Sequence, residues 1–179
     1  MPDLSPVPDP IQSPREYQEH LLRLLGDEDP VAVQSQTPSA LRTLATEAGA
    51  NLYRRPEPKE WAVGECIAHV YDAEIVMSSR YRFILAQDEP PIIGYDQDLW
   101  VDHLHGQDDD LETMFDVFEA LRRSNIDLWN GTPEDRRQRV GMHAERGTES
   151  YELAFLMIAG HDRFHVAQAR RSMEAFPRS

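Results

Sequence analysis

The chain has 179 residues, 40% of them hydrophobic and 28% charged, a balance that describes one globular domain able to bury a core without disulfide staples. Its formal net charge of −14 repels phosphate backbones and argues against nucleic acid as a partner. No apolar run approaches the roughly 20 residues of a membrane span, and the single cysteine, Cys66, excludes an intrachain disulfide. The N-terminus MPDLSPVPDP has neither the basic nor the apolar region of a secretory signal, so a cytoplasmic protein is expected.

Residues 1–13 carry Pro2, Pro6, Pro8 and Pro10 without apolar periodicity, which predicts a mobile tail ahead of a helical domain over 14–179. Ser13-Pro14 is a helix start with proline at the first position, and Tyr17, Leu21, Leu24 and Leu25 recur at helical spacing until Gly26. Asp29-Pro30 and Thr37-Pro38 repeat the start signal, so the next helical region, about 31–50, is expected to break at Pro38. Its buried stripe is Leu41, Leu44 and Ala48. RRPEPKEW turns the chain, and a long period follows over about 62–86 through Val63, Ile67, Val70, Ala73, Ile75, Met77 and Phe83. Pro90-Pro91 stops it.

The segment IIGYDQDLWVDHLHG is a connection with room for one short helix near 98–104. Asp108 to Asp110 cap the next helix, which bears Leu111, Met114, Phe115, Phe118, Leu121, Ile126 and Leu128 and ends at Asn130-Gly131. The arginine clusters Arg122-Arg123 and Arg136-Arg137-Arg139 lie close to acids and read as solvated surface. Thr148 opens a last helix through Tyr151, Phe155, Ile158 and Val166, ending near Phe176-Pro177. No segment alternates apolar and polar residues for more than a few positions. The fold class is therefore all-α: a four-helix bundle with the first helix as an extra N-terminal element.

Within the last helix, AGHDRFHVAQ places His161 and His165 four residues apart, on one face. Seven histidines in a chain of this length produce roughly 0.3 such pairs by chance, so the pair is either half a metal site or two histidines that share a face. A third donor must come from another helix. His69 suits this because it lies in an apolar stripe, flanked by Ile67, Val70 and Ala73, where ring nitrogens need partners. Three neutral imidazoles on a divalent ion leave positions open for water or substrate, as catalytic sites do. Glu65 and Asp72, about one turn to either side of His69, could orient its ring, act as a base or enter the shell of the ion. Asp162 points about 100° away from His161 and reads as surface or as an outer partner.

WAVGECIAHVYDAE followed by GMHAERGTESYELAFLMIAGHDRFHVAQ resembles the DinB/YfiT-like superfamily of four-helix bundle proteins over about residues 31–176. The matching positions are Trp61, Gly64, Glu65, His69, Gly147, His161, Asp162, His165 and Gln168, with GYDQDLW resembling the family's loop after the second helix. The resemblance implies a metal site of His69, His161 and His165 holding zinc, nickel or iron, and a homodimer. Members of this family include thiol S-transferases that use low-molecular-weight thiols such as bacillithiol or mycothiol. Many others are called metal-dependent hydrolases without a proven substrate. His143 matches a recurrent family histidine before the last helix, which implies a pocket-lining, cofactor-binding role; an ordinary loop histidine is the alternative.

Cys66, three residues before His69, could complete a tetrahedron, but a lone cysteine in an apolar stripe packs as a small hydrophobe. His103, His105 and His20 read as surface. HDRFH invites comparison with the zincin motif H-E-x-x-H, but the only carboxylate side chain after His165 is Glu174, so a zincin third ligand is poorly supported. Two functions stand at this point: a metal-dependent hydrolase or thiol S-transferase acting on a small molecule, or a non-catalytic bundle that binds a metal or small ligand under stress.

Overall fold

A computed structural model of the chain describes Pro8 and residues 12–176; the tail expected over 1–13 lies almost wholly outside them. Among the described residues there are seven α-helices: α1 (Pro14–Leu25), α2 (Pro30–Ala48), α3 (Val63–Ala86), α4 (Gln97–Leu104), α5 (Leu111–Gly131), α6 (Glu134–Arg137) and α7 (Tyr151–Glu174). Their starts follow local chemistry. Side chains of Asp29, Asp96, Asp110 and Ser150 accept hydrogen bonds from the otherwise unpaired first-turn N–H groups of α2, α4, α5 and α7. The last helix thus begins three residues after Thr148.

Helices α2, α3, α5 and α7 form the four-helix bundle, and α1 lies along α7 as the added element. The approach of α1 is close because a Cβ at Gly160 would sit 2.0 Å from the Leu21 carbonyl oxygen. Only a glycine lets the α1 backbone seat there, one residue before His161.

Contrary to expectation, α2 runs through Pro38 without a break. A proline at 38 has no N–H for the carbonyl of Gln34, its i−4 partner. That carbonyl is met instead by Arg122 of α5, whose Nη1 donates to Gln34 O at 3.1 Å. The helix continues because a neighbouring helix replaces the missing bond.

Arg122 also departs from the reading of its cluster as solvated surface, since it is 2% exposed, whereas Arg123 is exposed as expected. Its guanidinium is paired with Glu74 of α3 at 2.8 Å and with Asp162 of α7. Asn125 donates to Glu74, and Thr37 of α2 donates to Asp162. This polar layer joins all four bundle helices. It separates an apolar cluster containing Leu41, Leu44, Val70 and Phe118 from a second containing Tyr81, Trp129, Tyr151 and Phe155.

In the second arginine cluster Arg136 is exposed as expected and Arg137 and Arg139 are half-buried, but all three side chains have partners. Arg136 and Arg139 donate to carbonyls of Leu85 and Ile84 near the end of α3, and Arg137 to carbonyls of Trp129 and Thr132 at the end of α5. Cations placed there satisfy carbonyls that have no helical partner and oppose the negative helix end.

A small three-stranded sheet that no alternation announced completes the fold: β1 (Pro91–Ile92), β2 (Val140–His143) and β3 (Gly147–Ser150), in the order β1-β2-β3. β1 is parallel to β2, with Ile92 opposite His143; β2 and β3 form a hairpin with His143 opposite Gly147, whose φ is 77°. This sheet brings the segment before α7 back to the end of α3.

Candidate metal centre

His69 projects from α3, and His161 and His165 project from successive turns of α7, the helix packed against it. One potential ligand atom from each of the three rings lies within 4.8 Å of the other two. Nε2 of His69 and Nε2 of His161 are 2.9 Å apart. Nδ1 of His165 donates to Oε1 of Gln168 at 2.8 Å, which leaves its Nε2 lone pair available and fixes the ring, as partners of metal-bound histidines commonly do. Trp61 covers the cluster, stacking on His165 and tilting over His69 with ring centroids 5.9 and 4.9 Å away.

All three histidines are buried, at 2, 7 and 5% exposure for His69, His161 and His165. Burial disfavours their charged forms: it pushes His161 down to about 3, with Arg122 adding to the shift, and holds His69 and His165 well below the usual histidine range, helped by the neighbouring rings. The rings are therefore neutral lone-pair donors at pH 7. Nδ1 of His69 and Nδ1 of His161 are buried without a protein partner. Three neutral imidazoles whose nitrogens find protein partners only in one another and in Gln168 form a donor set suited to one divalent cation.

The cluster borders a cavity of about 590 Å³ lined by His69 and His161, by Met77 and Arg80 further along α3, and by His143 and Glu149 of the small sheet. A second cavity, of about 350 Å³, reaches His161 and His165 from the side of Trp61 and Gln168.

The sequence pattern of the DinB superfamily matches residues 32–169. The chain belongs to the DinB superfamily. A protein of Oceanobacillus iheyensis that carries the provisional name of a metal-dependent hydrolase is 21% identical over 112 residues, which cover 62% of this chain; the chain spans 63% of the length of that relative. The structure of YfiT from Bacillus subtilis, provisionally described as a metal-dependent hydrolase with an unusual four-helix bundle topology, superposes with a TM-score of 0.73 at 16% identity. It covers 89% of this chain and 87% of YfiT. YfiT thus shares the fold.

The structure gives physical reasons for the DinB motif positions. Gly64 faces the Tyr53 ring so closely that a Cβ would lie 2.5 Å from it. Glu65 does not join the histidines: it accepts from the N–H of Ala62, the cap of α3, and from Arg55. Asp72 is likewise held away from the cluster by His105, whose Nε2 lies 2.9 Å from Oδ2. Both acids read from the sequence as orienting or catalytic partners of His69 are thus engaged elsewhere. Asp162 is buried in the Arg122 layer, neither at the surface nor in the cluster. Cys66 is fully buried in the apolar core, outside the ligand cluster, and its burial pushes the thiol up.

The other histidines divide. His103 is exposed as expected, whereas His105 is enclosed by its pairing with Asp72, and His20 is buried against the edge of Phe164. His143 lines the larger cavity with His69 and His161. Arg80, which also lines it, was not singled out from the sequence. The signal was present, because Arg80 follows Ala73 and Met77 and precedes Ile84 on the buried face of α3.

No helix among the described residues is long and apolar enough to cross a membrane.

Proposed function

We propose that this DinB protein is a metal-dependent enzyme acting on a small molecule, with His69, His161 and His165 holding one divalent ion at the end of the 590 Å³ cavity. The observation that carries the reading is the convergence of three buried, neutral imidazoles from two helices, two of which, His69 and His161, line that cavity. Zinc, nickel and iron all suit imidazole donors. Bound there, the ion supplies Lewis acidity and favours the deprotonated form of a water or low-molecular-weight thiol at neutral pH. The reaction class is then hydrolysis of, or thiol transfer to, a small electrophile. The chain's own groups bind and orient: Gln168 holds the His165 ring, and Trp61 covers the cluster and limits its access to solvent.

The pairing of Glu65, Asp72 and Asp162 with Arg55, His105 and Arg122 favours a second reading, in which the site binds a metal or ligand without turnover, because these carboxylates are engaged outside the histidine cluster. Elemental analysis and a turnover screen separate the readings. The first expects about one equivalent of metal in the purified protein, lost in the triple variant His69→Ala, His161→Ala, His165→Ala. It also expects consumption of monochlorobimane with a thiol, or of an activated ester, that His161→Ala abolishes. Undiminished metal in the folded triple variant overturns the site. Metal without turnover of either probe class supports the binding reading.

A further inference from the structure

The larger cavity runs along three turns of α3, about 16 Å of helix axis, from His69 to Arg80. At the Arg80 end two buried donors, Nε of Arg80 and Nε2 of His143, are left without acceptors. Arg80 is 9% exposed. Its Nη2 donates to the carbonyl of Ile93 at 2.7 Å, its Nη1 makes a 3.7 Å contact with Met77 Sδ, and its Nε is buried without a partner. Arg122 and Arg146, buried to a similar degree, are each paired with carboxylates. Arg80 makes no ion pair among the described residues. The closest carboxylate in charge terms, Glu149, is held in a two-point pair with Arg146 at 2.5 and 3.0 Å.

His143 lines the same cavity, within reach of the Arg80 charge, and is 3% exposed. Its Nδ1 accepts from the N–H groups of Glu145 and Arg146 across the β2–β3 turn. The ring proton therefore sits on Nε2, which is buried with no acceptor. A guanidinium without an ion pair and an orphaned ring N–H in the wall of one cavity are costly unless a bound group supplies negative charge and acceptor atoms. A planar carboxylate matches the guanidinium fork. A dianionic phosphate fits less well, because Asp96, Asp98 and Glu145 also line the cavity and would repel the second charge.

The geometry points to a carboxylate-binding subsite formed by Arg80 and His143, so that the small-molecule substrate is a carboxylic acid held at one end while its reacting group lies toward His69 and His161. This assignment deepens, and rests on, the reading of the cavity as a substrate site, but the subsite needs no metal. The test is therefore binding of benzoate, benzamide and phenyl phosphate to the metal-free protein by calorimetry, with metal content measured separately.

Benzoate is expected to bind at millimolar concentration or below, with benzamide and phenyl phosphate weaker on the order of ten-fold or more. Arg80→Met, verified as folded by circular dichroism, is expected to abolish that preference while leaving metal stoichiometry unchanged. Equal affinity for benzoate and benzamide overturns the assignment in the wild-type protein alone, whatever the variant does. Tighter phenyl phosphate, no benzoate binding, or an unchanged preference in folded Arg80→Met also overturns it. Carboxylate selectivity in a protein that takes up no metal would sink the proposed function and leave the subsite standing; metal uptake without selectivity would do the reverse.

Discussion

Removing Arg122 tests the account of how α2 passes through Pro38. Arg122→Met keeps an unbranched apolar stem over Phe118 but strips the guanidinium from Glu74, Asp162 and the Gln34 carbonyl. Breaking a buried ion pair from one side costs about 3–5 kcal/mol, and leaving the Gln34 carbonyl without a donor adds about 1–3 kcal/mol. Pro38→Ala in the wild-type background restores an amide N–H at position 38 aimed at a carbonyl that Arg122 already serves, so its effect is smaller than in the Arg122→Met background. There, that N–H is the only replacement donor. The double variant is therefore expected to be more stable than additivity predicts, by about 1 kcal/mol or more. Urea unfolding of the four proteins, followed by circular dichroism, measures this coupling. Additivity within about 0.5 kcal/mol, or a cost for Arg122→Met below about 1 kcal/mol, would refute the reasoning.

Three further outcomes follow from the geometry. Gln168→Leu removes the acceptor that fixes His165 and should weaken metal affinity about 10–100-fold in a chelator competition assay without unfolding the bundle. Gly160→Ala forces a Cβ against the Leu21 carbonyl; since backbone cannot yield as a side chain does, α1 must lift from α7. Thermal unfolding and hydrogen exchange in α1 should both register the change, with a loss of about 1–3 kcal/mol. Finally, the cluster histidines and His143, which burial first and Arg146 second push down to about 4, stay neutral in the fold when the unfolded chain's histidines charge below about pH 6.5. The metal-free protein should lose stability as pH falls from about 6.5, by about 1.4 kcal/mol per pH unit for each excluded proton. A flat stability profile between about pH 7.5 and 5 would show that the histidines charge in the folded state.

Much of the fold was legible along the chain because its determinants are local. Asp29, Asp110 and the proline starts mark helix ends through bonds spanning two or three residues, and the apolar periods mark buried faces. His161 and His165 share a face by helical geometry alone, while assigning His69 as their partner needed the wider motif around Trp61 and Gln168. Arg80, Arg122 and Glu74 lie about one turn from apolar residues of their stripes, yet Arg122 reads as solvated surface from its charge, because a charged residue on a buried stripe is interpretable only once its partner is known.

The sequence by itself determined the all-α class, the helix boundaries to within a few residues and the three histidines that meet. Only the tertiary structure decided that α2 continues through Pro38, that Asp162 belongs to Arg122, that Glu65 and Asp72 serve Arg55 and His105, and that β1 joins β2 across about fifty residues. Each of those outcomes is a choice of partner between groups distant in sequence. Burial strengthens such electrostatic and hydrogen-bond choices and makes an unmet group costly, so they are settled by which side chains the packed helices bring together.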